Sequence, residues 1–200
     1  MKTKMTLVLT AVSIAVLFTS CGKVPQQELD AAYAAIEQAK ATGADVYVPA
    51  DFAALQDSMR AVTEGVEVKK GKLFASYGTE KTQLTQIAEL AATTEAKAEV
   101  RKQEVKLEIE TVQAEVSSIL AQNAELLAQA PKGKEGAAAQ EAIKSENSLI
   151  ETSVSEVGTL VASNDLLTAL DKAKAAKAKS MAINAELNEV IAKYSKASRR

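Results

Sequence analysis

LFASYGTEKTQLTQIAELAATTEAKAEVRKQEVKLEIETVQAEVSSILAQNAELLAQA, residues 73–130, decides the fold. Every seventh residue from Tyr77 gives Tyr77, Leu84, Ala91, Ala98, Val105, Val112, Ile119 and Leu126, all apolar or alanine, with no proline between them. From Val105 a second series joins the first: Ile109, Val116, Asn123 and Ala130. The spacing then alternates four and three, the seam of a helix packed against other helices. At about 1.5 Å per residue such a helix would be roughly 80 Å long. The pattern predicts an all-α fold: an elongated, antiparallel, coiled-coil-like bundle of about five helices around one very long central helix.

The seam is uneven. Between Ala92 and Glu104 the one large apolar side chain is Val100, and the second series continued backwards lands on Lys81, Glu95 and Lys102. This middle reads as a solvated, charged waist from Thr93 to Glu104 that joins two bundles; a bend there is the other reading. At Pro131 the helix must stop, because proline disfavours helical geometry in the residue before it. Pro131 to Gly136 (PKGKEG) is a loop pattern.

Working outward, Gln26 to about Thr42 is helical, with Leu29, Ile36 and Ala39 on one face together with Tyr33 or Ala32. Thr42-Gly43 ends it, glycine being usual beyond a helix C-terminus. Pro49 suits the first turn of a second helix. On one face of that helix fall Phe52, Leu55, Met59, Val62, Val66 and Leu73, with Lys69 interrupting; Gly65 and Gly71 weaken its far end. The reversal into the long helix falls between 71 and 79. Beyond the Pro131 loop, Ala137 to about Val161 carries the stripe Ile143, Ile150, Val154, Val157 and Val161. Ser163-Asn164-Asp165 supplies a turn and cap. The last helix follows with Ala169, Ala173, Ala176, Ser180, Ile183, Leu187, Val190 and Tyr194. The expected organisation is a signal segment (1–20), a lipidated N-terminus with a short linker (21–26) and an N-terminal bundle (27–98). A C-terminal bundle (99–195) sharing the long helix 73–130, and a tail (196–200), complete it.

The signal segment is read from Lys2 and Lys4, a positive start, then the apolar run Leu7 to Phe18, then Thr19-Ser20-Cys21. This has the form of a secretory signal, and its end resembles the lipobox of bacterial lipoproteins. There the cysteine thiol is lipidated and the chain is cut just before it, which makes Cys21, the one cysteine, the expected lipidation site. The lipobox prefers leucine where Phe18 stands. The apolar run is shorter than the ~20 residues of a membrane span, and an unmodified Cys21 would be a lone thiol in an oxidising compartment. Gly22 rather than aspartate after the cysteine, by the enterobacterial sorting pattern, points to the outer membrane, facing the periplasm. Cleavage before Cys21 would leave 22 basic against 26 acidic side chains, a formal charge of −4.

From Leu29-Asp-Ala-Ala-Tyr-Ala-Ala-Ile-Glu-Gln-Ala-Lys-Ala-Thr-Gly43, through Pro49, to Leu55 and Met59, the chain is similar to a family of bacterial envelope lipoproteins known as a domain of unknown function. That family places an alanine-rich helix, a proline-containing break and a second helix just after the lipid anchor; the likeness covers about Gln26 to Ala98. Some members continue into an OmpA-like peptidoglycan-binding domain, of which no segment is read here. The family carries no catalytic residue onto this sequence.

The chemistry points the same way. Mild acidity, 4% aromatics and no tryptophan argue against nucleic-acid binding. The chain has no histidine, the commonest general base and transition-metal ligand, and its glycines never fall in phosphate-binding spacing. Glu95 with Glu99 and Glu104 with Glu108 stand at helical spacing, but among Lys97, Arg101 and Lys102 they read as a solvated face. The lysines of the last helix (Lys172, Lys174, Lys177, Lys179, Lys193, Lys196) with Arg199 and Arg200 read as solvated, or alternatively as contacts for anionic lipid. No enzyme, cofactor, metal site or catalytic residue is expected. The expected function is a lipid-anchored helical lipoprotein with a structural, spacer or partner-binding role in the envelope. Its expected partners are the membrane, through Cys21, and another envelope protein. The alternatives are an envelope hydrolase or transferase with a Ser/Lys/acid site, or a helical protein contacting lipid or lipopolysaccharide. A monomer is expected if the last two helices cover Val105, Ile109, Val112 and Val116, and a homodimeric coiled coil if they do not.

Overall fold

Every described element is a helix. The computed structural model describes residues 22–130 and 134–197; Cys21 with the signal-like segment, residues 131–133 and residues 198–200 lie outside the described residues. In chain order the helices are α1 (Gln26–Ala41), α2 (Ala44–Tyr47), α3 (Pro49–Lys70), α4 (Gly78–Gln129), α5 (Lys134–Ala162) and α6 (Leu166–Ala197). The all-α expectation holds, and α4 is the expected long helix, 52 residues of it. Contacts divide the chain into two units, one ending at Arg101 and one beginning at Lys102.

In the first unit α1 buries Leu29, Ala32, Ile36 and Ala39, spaced three and four apart. Ala32 is fully buried whereas Tyr33 is 48% exposed, because small side chains let neighbouring helices approach closely. Gly43 (φ 89°) turns the chain after α1 in the left-handed region that suits glycine. The single turn α2, which the sequence does not announce, leads to Pro49 at the start of α3. Phe52, Leu55, Met59, Val62 and Val66 face inward from α3. Polar pairs fix the directions. Glu28 meets Lys81 at 3.0 Å, and Gln38 and Thr42 both donate to Glu95 at 3.3 and 3.2 Å, so α1 runs parallel to α4. Asp51 meets Lys97 at 2.8 Å and Lys69 meets Glu80 at 2.7 Å, so α3 runs antiparallel to both.

Two expectations are corrected here. The long helix begins at Gly78 rather than Leu73, and Leu73 does not extend the α3 stripe: it is 91% exposed. Nothing buries Leu73 or Phe74, so no packing energy draws residues 71–76 into a helix, and Phe74 itself sits at φ 63°, a left-handed conformation rare for a bulky side chain. Tyr77, which is buried, starts the packed part, its carbonyl accepting the Lys81 N–H. The charged waist is also less solvated than expected. In this unit the buried positions of α4, with Tyr77 just before it, are Tyr77, Glu80, Leu84, Ile87, Ala91, Thr94 and Ala98, alternately three and four apart. The second series therefore falls on Glu80, Ile87 and Thr94, one residue before Lys81 and Glu95. Thr94 tolerates burial because its hydroxyl donates to the Leu90 carbonyl at 2.8 Å.

In the second unit α4 buries Val105, Ile109, Val112, Val116, Asn123 and Leu127, and Ala130 just beyond its end is buried too. The four seam residues Val105 to Val116 are thus covered within a single chain. Helix α5 runs back along α4: Gln140 donates to the Ala130 carbonyl and Gln113 to the Val154 carbonyl. Asn164 (φ 62°) makes the turn into α6, asparagine being among the residues that tolerate that region. Helix α6 then runs parallel to α4, with Lys174 on Glu108, Lys177 on Glu115 and Ser180 on Asn123. It buries Leu166, Ala169, Leu170, Ala173, Ala176, Ser180, Ile183 and Leu187. The expected stripe stops there, since Val190 and Tyr194 are exposed, and the helix continues through Lys196 and Ala197, where the sequence suggests a tail. Helix α5 likewise starts at Lys134 rather than Ala137.

Candidate functional site

The residues singled out from the sequence do not converge on one site. Cys21, the expected lipidation site, lies outside the described residues, as do Arg199 and Arg200. Glu95 accepts hydrogen bonds from Gln38 and Thr42, and Glu108 pairs with Lys174, so these carboxylates hold helices together within their own units. Of the α6 lysines, Lys172 pairs with Glu156 and Lys177 with Glu115 on other helices, while Lys193 pairs with Glu189 of α6 itself. Among the described residues no group of three or more potential ligands stands together as a metal site.

Two buried polar clusters organise the interior. In the first unit Glu80 is 6% exposed. Its carboxylate is held by Lys69, whose ammonium also donates to the Ser76 carbonyl at 3.0 Å. The hydrogen bond from Lys69 is the main cause of a carboxyl pKa below the usual glutamate range, outweighing the opposing effect of burial. The Lys81 ammonium likewise lowers the pKa of Glu28. The Lys69 bonds tie the loop between α3 and α4 to both helices.

In the second unit Asn123 is fully buried. Its amide donates to the Ser180 carbonyl at 3.0 Å and accepts from the Asn184 amide at 2.9 Å. Asn188 donates in turn to Asn184. Asn123 is satisfied only when Ser180 and Asn184 lie opposite it, so it sets the register of α6 on α4. A slip of one turn would leave its amide buried and unpaired, at a cost of about 1–3 kcal/mol.

The concave features are open grooves between helices: one of about 380 Å³ lies between α3 and α4 of the first unit, past Ser58, Val62, Ile87 and Leu90, and the others lie in the second unit. One, of about 480 Å³, runs between α4 and α5 past Leu120, Ala124, Leu127, Lys144 and Asn147. The Asn147 Oδ1 is buried with no hydrogen-bond partner among the described residues. Another, of about 410 Å³, lies between α5 and α6, lined by Glu146, Leu149, Ile150 and Ser153 from α5 and by Lys179 and Glu186 from α6. This has the side-chain types of a Ser/Lys/acid site. The Ser153 hydroxyl, however, donates to the Leu149 carbonyl at 3.0 Å in its own helix, and that bond does not prepare it for attack.

The reversal falls at residues 71–77, inside the expected window of 71–79; what sequence reasoning missed is the exposure of its apolar side chains. Leu73 and Phe74 are 91% and 99% exposed, and Val68 at the end of α3 is exposed as well. The signal was present in Lys69-Lys70-Gly71-Lys72, too charged and flexible a run to bring Leu73 back to the core. Among the described residues no helix is long and apolar enough to cross a membrane. Compared with family models, with curated proteins and with solved structures, the chain has no match.

Proposed function

We propose that this chain is a lipoprotein of the bacterial envelope, anchored through Cys21 in the outer membrane and facing the periplasm. Its helical units serve as a spacer or a partner-binding surface, without a reaction of their own. The observation that carries the reading is the order of residues before Gly22: Lys2 and Lys4, the apolar run over residues 7–18, then Thr19-Ser20-Cys21. The internal chemistry is compatible with it. Charged side chains are spent on joining helices, as with Glu28 on Lys81, Glu80 on Lys69 and Glu115 on Lys177. A structural role needs this persistence of helix pairing and nothing more.

The test is metabolic labelling with a fatty-acid probe, in cells making the natural chain or the Cys21→Ala variant. The natural chain should take the label and fractionate with membranes. The variant should lose the label and either remain unprocessed or become soluble. Equal labelling of the two would refute the lipoprotein reading.

A further inference from the structure

The exposed apolar loop lies at a particular end of the first unit. Helix α1 starts there, since Glu28 in its first turn meets Lys81 in the first turn of α4, and the loop joins α3 to that same turn. Lys69, in the last turn of α3, reaches both Ser76 and Glu80. Val24 packs against the core at this end, leaving Gly22 and Lys23 exposed. The chain therefore enters the first unit beside the loop of residues 71–77.

The loop has the composition of a membrane-interface wedge. Leu73 and Phe74 are almost wholly exposed, next to the exposed Val68. Scattered exposed apolar residues need no explanation, but two adjacent large ones at a loop tip do. Over this end as a whole Asp30 in α1 and Glu64 in α3 balance the lysines, but next to the tip, on Lys69, Lys70 and Lys72, the charge is positive. Glu28, Glu67 and Glu80 are each matched by a lysine, namely Lys81, Lys70 and Lys69. Lys23 and Lys72 add two further positive charges at this end. Aromatic and leucine side chains flanked by lysines suit the boundary between acyl chains and anionic headgroups, where lysine stems extend towards the phosphates.

We propose that the Lys72-Leu73-Phe74 tip inserts into the surface of an anionic bilayer, beside the lipid carried by Cys21. The site thus takes phospholipid: acyl chains against Leu73 and Phe74, headgroup phosphates against Lys72 and Lys23. Its location rests on the lipoprotein reading, because the anchor brings this end of the unit to the membrane. Two attachments close together would hold the first unit against the bilayer rather than let it swing about Gly22 and Lys23, the exposed residues left between Cys21 and the packed Val24. The linker expected over 21–26 is shortened to these, since α1 begins at Gln26.

The chain has no tryptophan, so Phe74→Trp introduces a unique fluorophore at a fully exposed position where folding is not at risk. The processed chain, purified from membranes, is reconstituted into vesicles of phosphatidylethanolamine and phosphatidylglycerol with brominated acyl chains. The introduced indole should emit further to the blue than in detergent-free buffer and be quenched at least about twofold by the bromines, as a buried interfacial side chain is. Val46→Trp, in α2 at the opposite end of the first unit, is the control and should stay unquenched. Adding Lys23→Glu and Lys72→Glu to Phe74→Trp should reduce the quenching, as should vesicles without anionic lipid. An unquenched indole at position 74, in a chain shown by fatty-acid label to be anchored, overturns the proposal and leaves the lipoprotein reading standing. A blue shift without quenching overturns it too: dependence on protein concentration would mean a second copy covers the tip, and dependence on a co-purified protein would mean a protein partner. Quenching in a chain that takes no fatty-acid label sustains the wedge and refutes the anchor.

Discussion

Replacing Asn123 tests whether the buried amide network is what fixes α6 against α4. In Asn123→Ala two neutral hydrogen bonds are lost, to the Ser180 carbonyl and from the Asn184 amide, together worth about 2 kcal/mol. The Ser180 carbonyl keeps its helical partner, and Asn184 is only half-buried and can turn to water, so neither adds a full orphan penalty. The gap left at a fully buried position adds about 1 kcal/mol. The total is about 3 kcal/mol off the second unit. Asn123→Asp keeps the volume but sets an acceptor where the donor stood, facing the Ser180 carbonyl. An ionised carboxylate there should cost about 3–5 kcal/mol, and burial raises its folded pKa above the unfolded value. The sign follows: a raised carboxyl destabilises as pH rises through its folded pKa, and the deficit disappears below the ordinary aspartate value of about 3.9. Protonated, the acid can donate to Ser180 as the amide did. Hydrogen exchange read by mass spectrometry, on peptides from α4 beyond Arg101 and from α6, isolates the second unit. The Asp variant should exchange fastest near neutral pH and approach the natural chain near about pH 4. An Asp variant as stable as the natural chain at neutral pH, or one whose deficit ignores pH, would refute the reasoning.

Two other outcomes follow from the same geometry. The Glu28 and Glu80 carboxyls have pKa values lowered by Lys81 and Lys69. Their contribution to the first unit is present above the ordinary glutamate value of about 4.3 and is lost as pH falls through the lowered values. Urea titrations between about pH 6 and 3 should show that loss, and Glu80→Gln should flatten it; an unchanged slope would count against the Lys69 pairing. At Gly158, in the interior of α5, a Cβ would meet nothing within 4 Å. Gly158→Ala should stabilise the second unit by about 0.5–1 kcal/mol, read as a higher urea midpoint, and a lower midpoint would contradict the open space seen there.

The helices are legible from period alone, because burial repeats every three or four residues and alanine favours the helix everywhere else. Leu29, Ile36, Phe52, Leu55 and Val105 fall where that period puts them. The errors share a cause: pattern reading ranks side chains by apolarity, whereas burial also depends on size and local bonding. Thr94 and Glu80 are buried because one hydroxyl bonds its own helix and one carboxylate has a lysine. The Glu80 partner is not visible before α3 and α4 are placed together. Tyr33 yields the inward place to Ala32 because the helices come close. Of the candidate site less is readable. The exposure of Leu73 and Phe74 depends on where α3 stops and α4 starts, and glycines and lysines mark that reversal without fixing it.

The parallel course of α4 and α6 bears on how the chain would be made. Asn123 and Ser180, which face one another, are 57 residues apart in sequence, with all of α5 between them. A chain emerging N-terminus first completes the partners of its first unit once Arg101 is out. The apolar edge from Val105 to Val116 must then wait for α5 and α6. At roughly 5–20 residues per second that wait lasts several seconds, whereas helices themselves form in about a microsecond. For that interval the nascent second unit is a preformed helix with one bare side, the kind of surface a holdase grips. A chaperone dependence confined to residues beyond 101 would therefore be written into the topology.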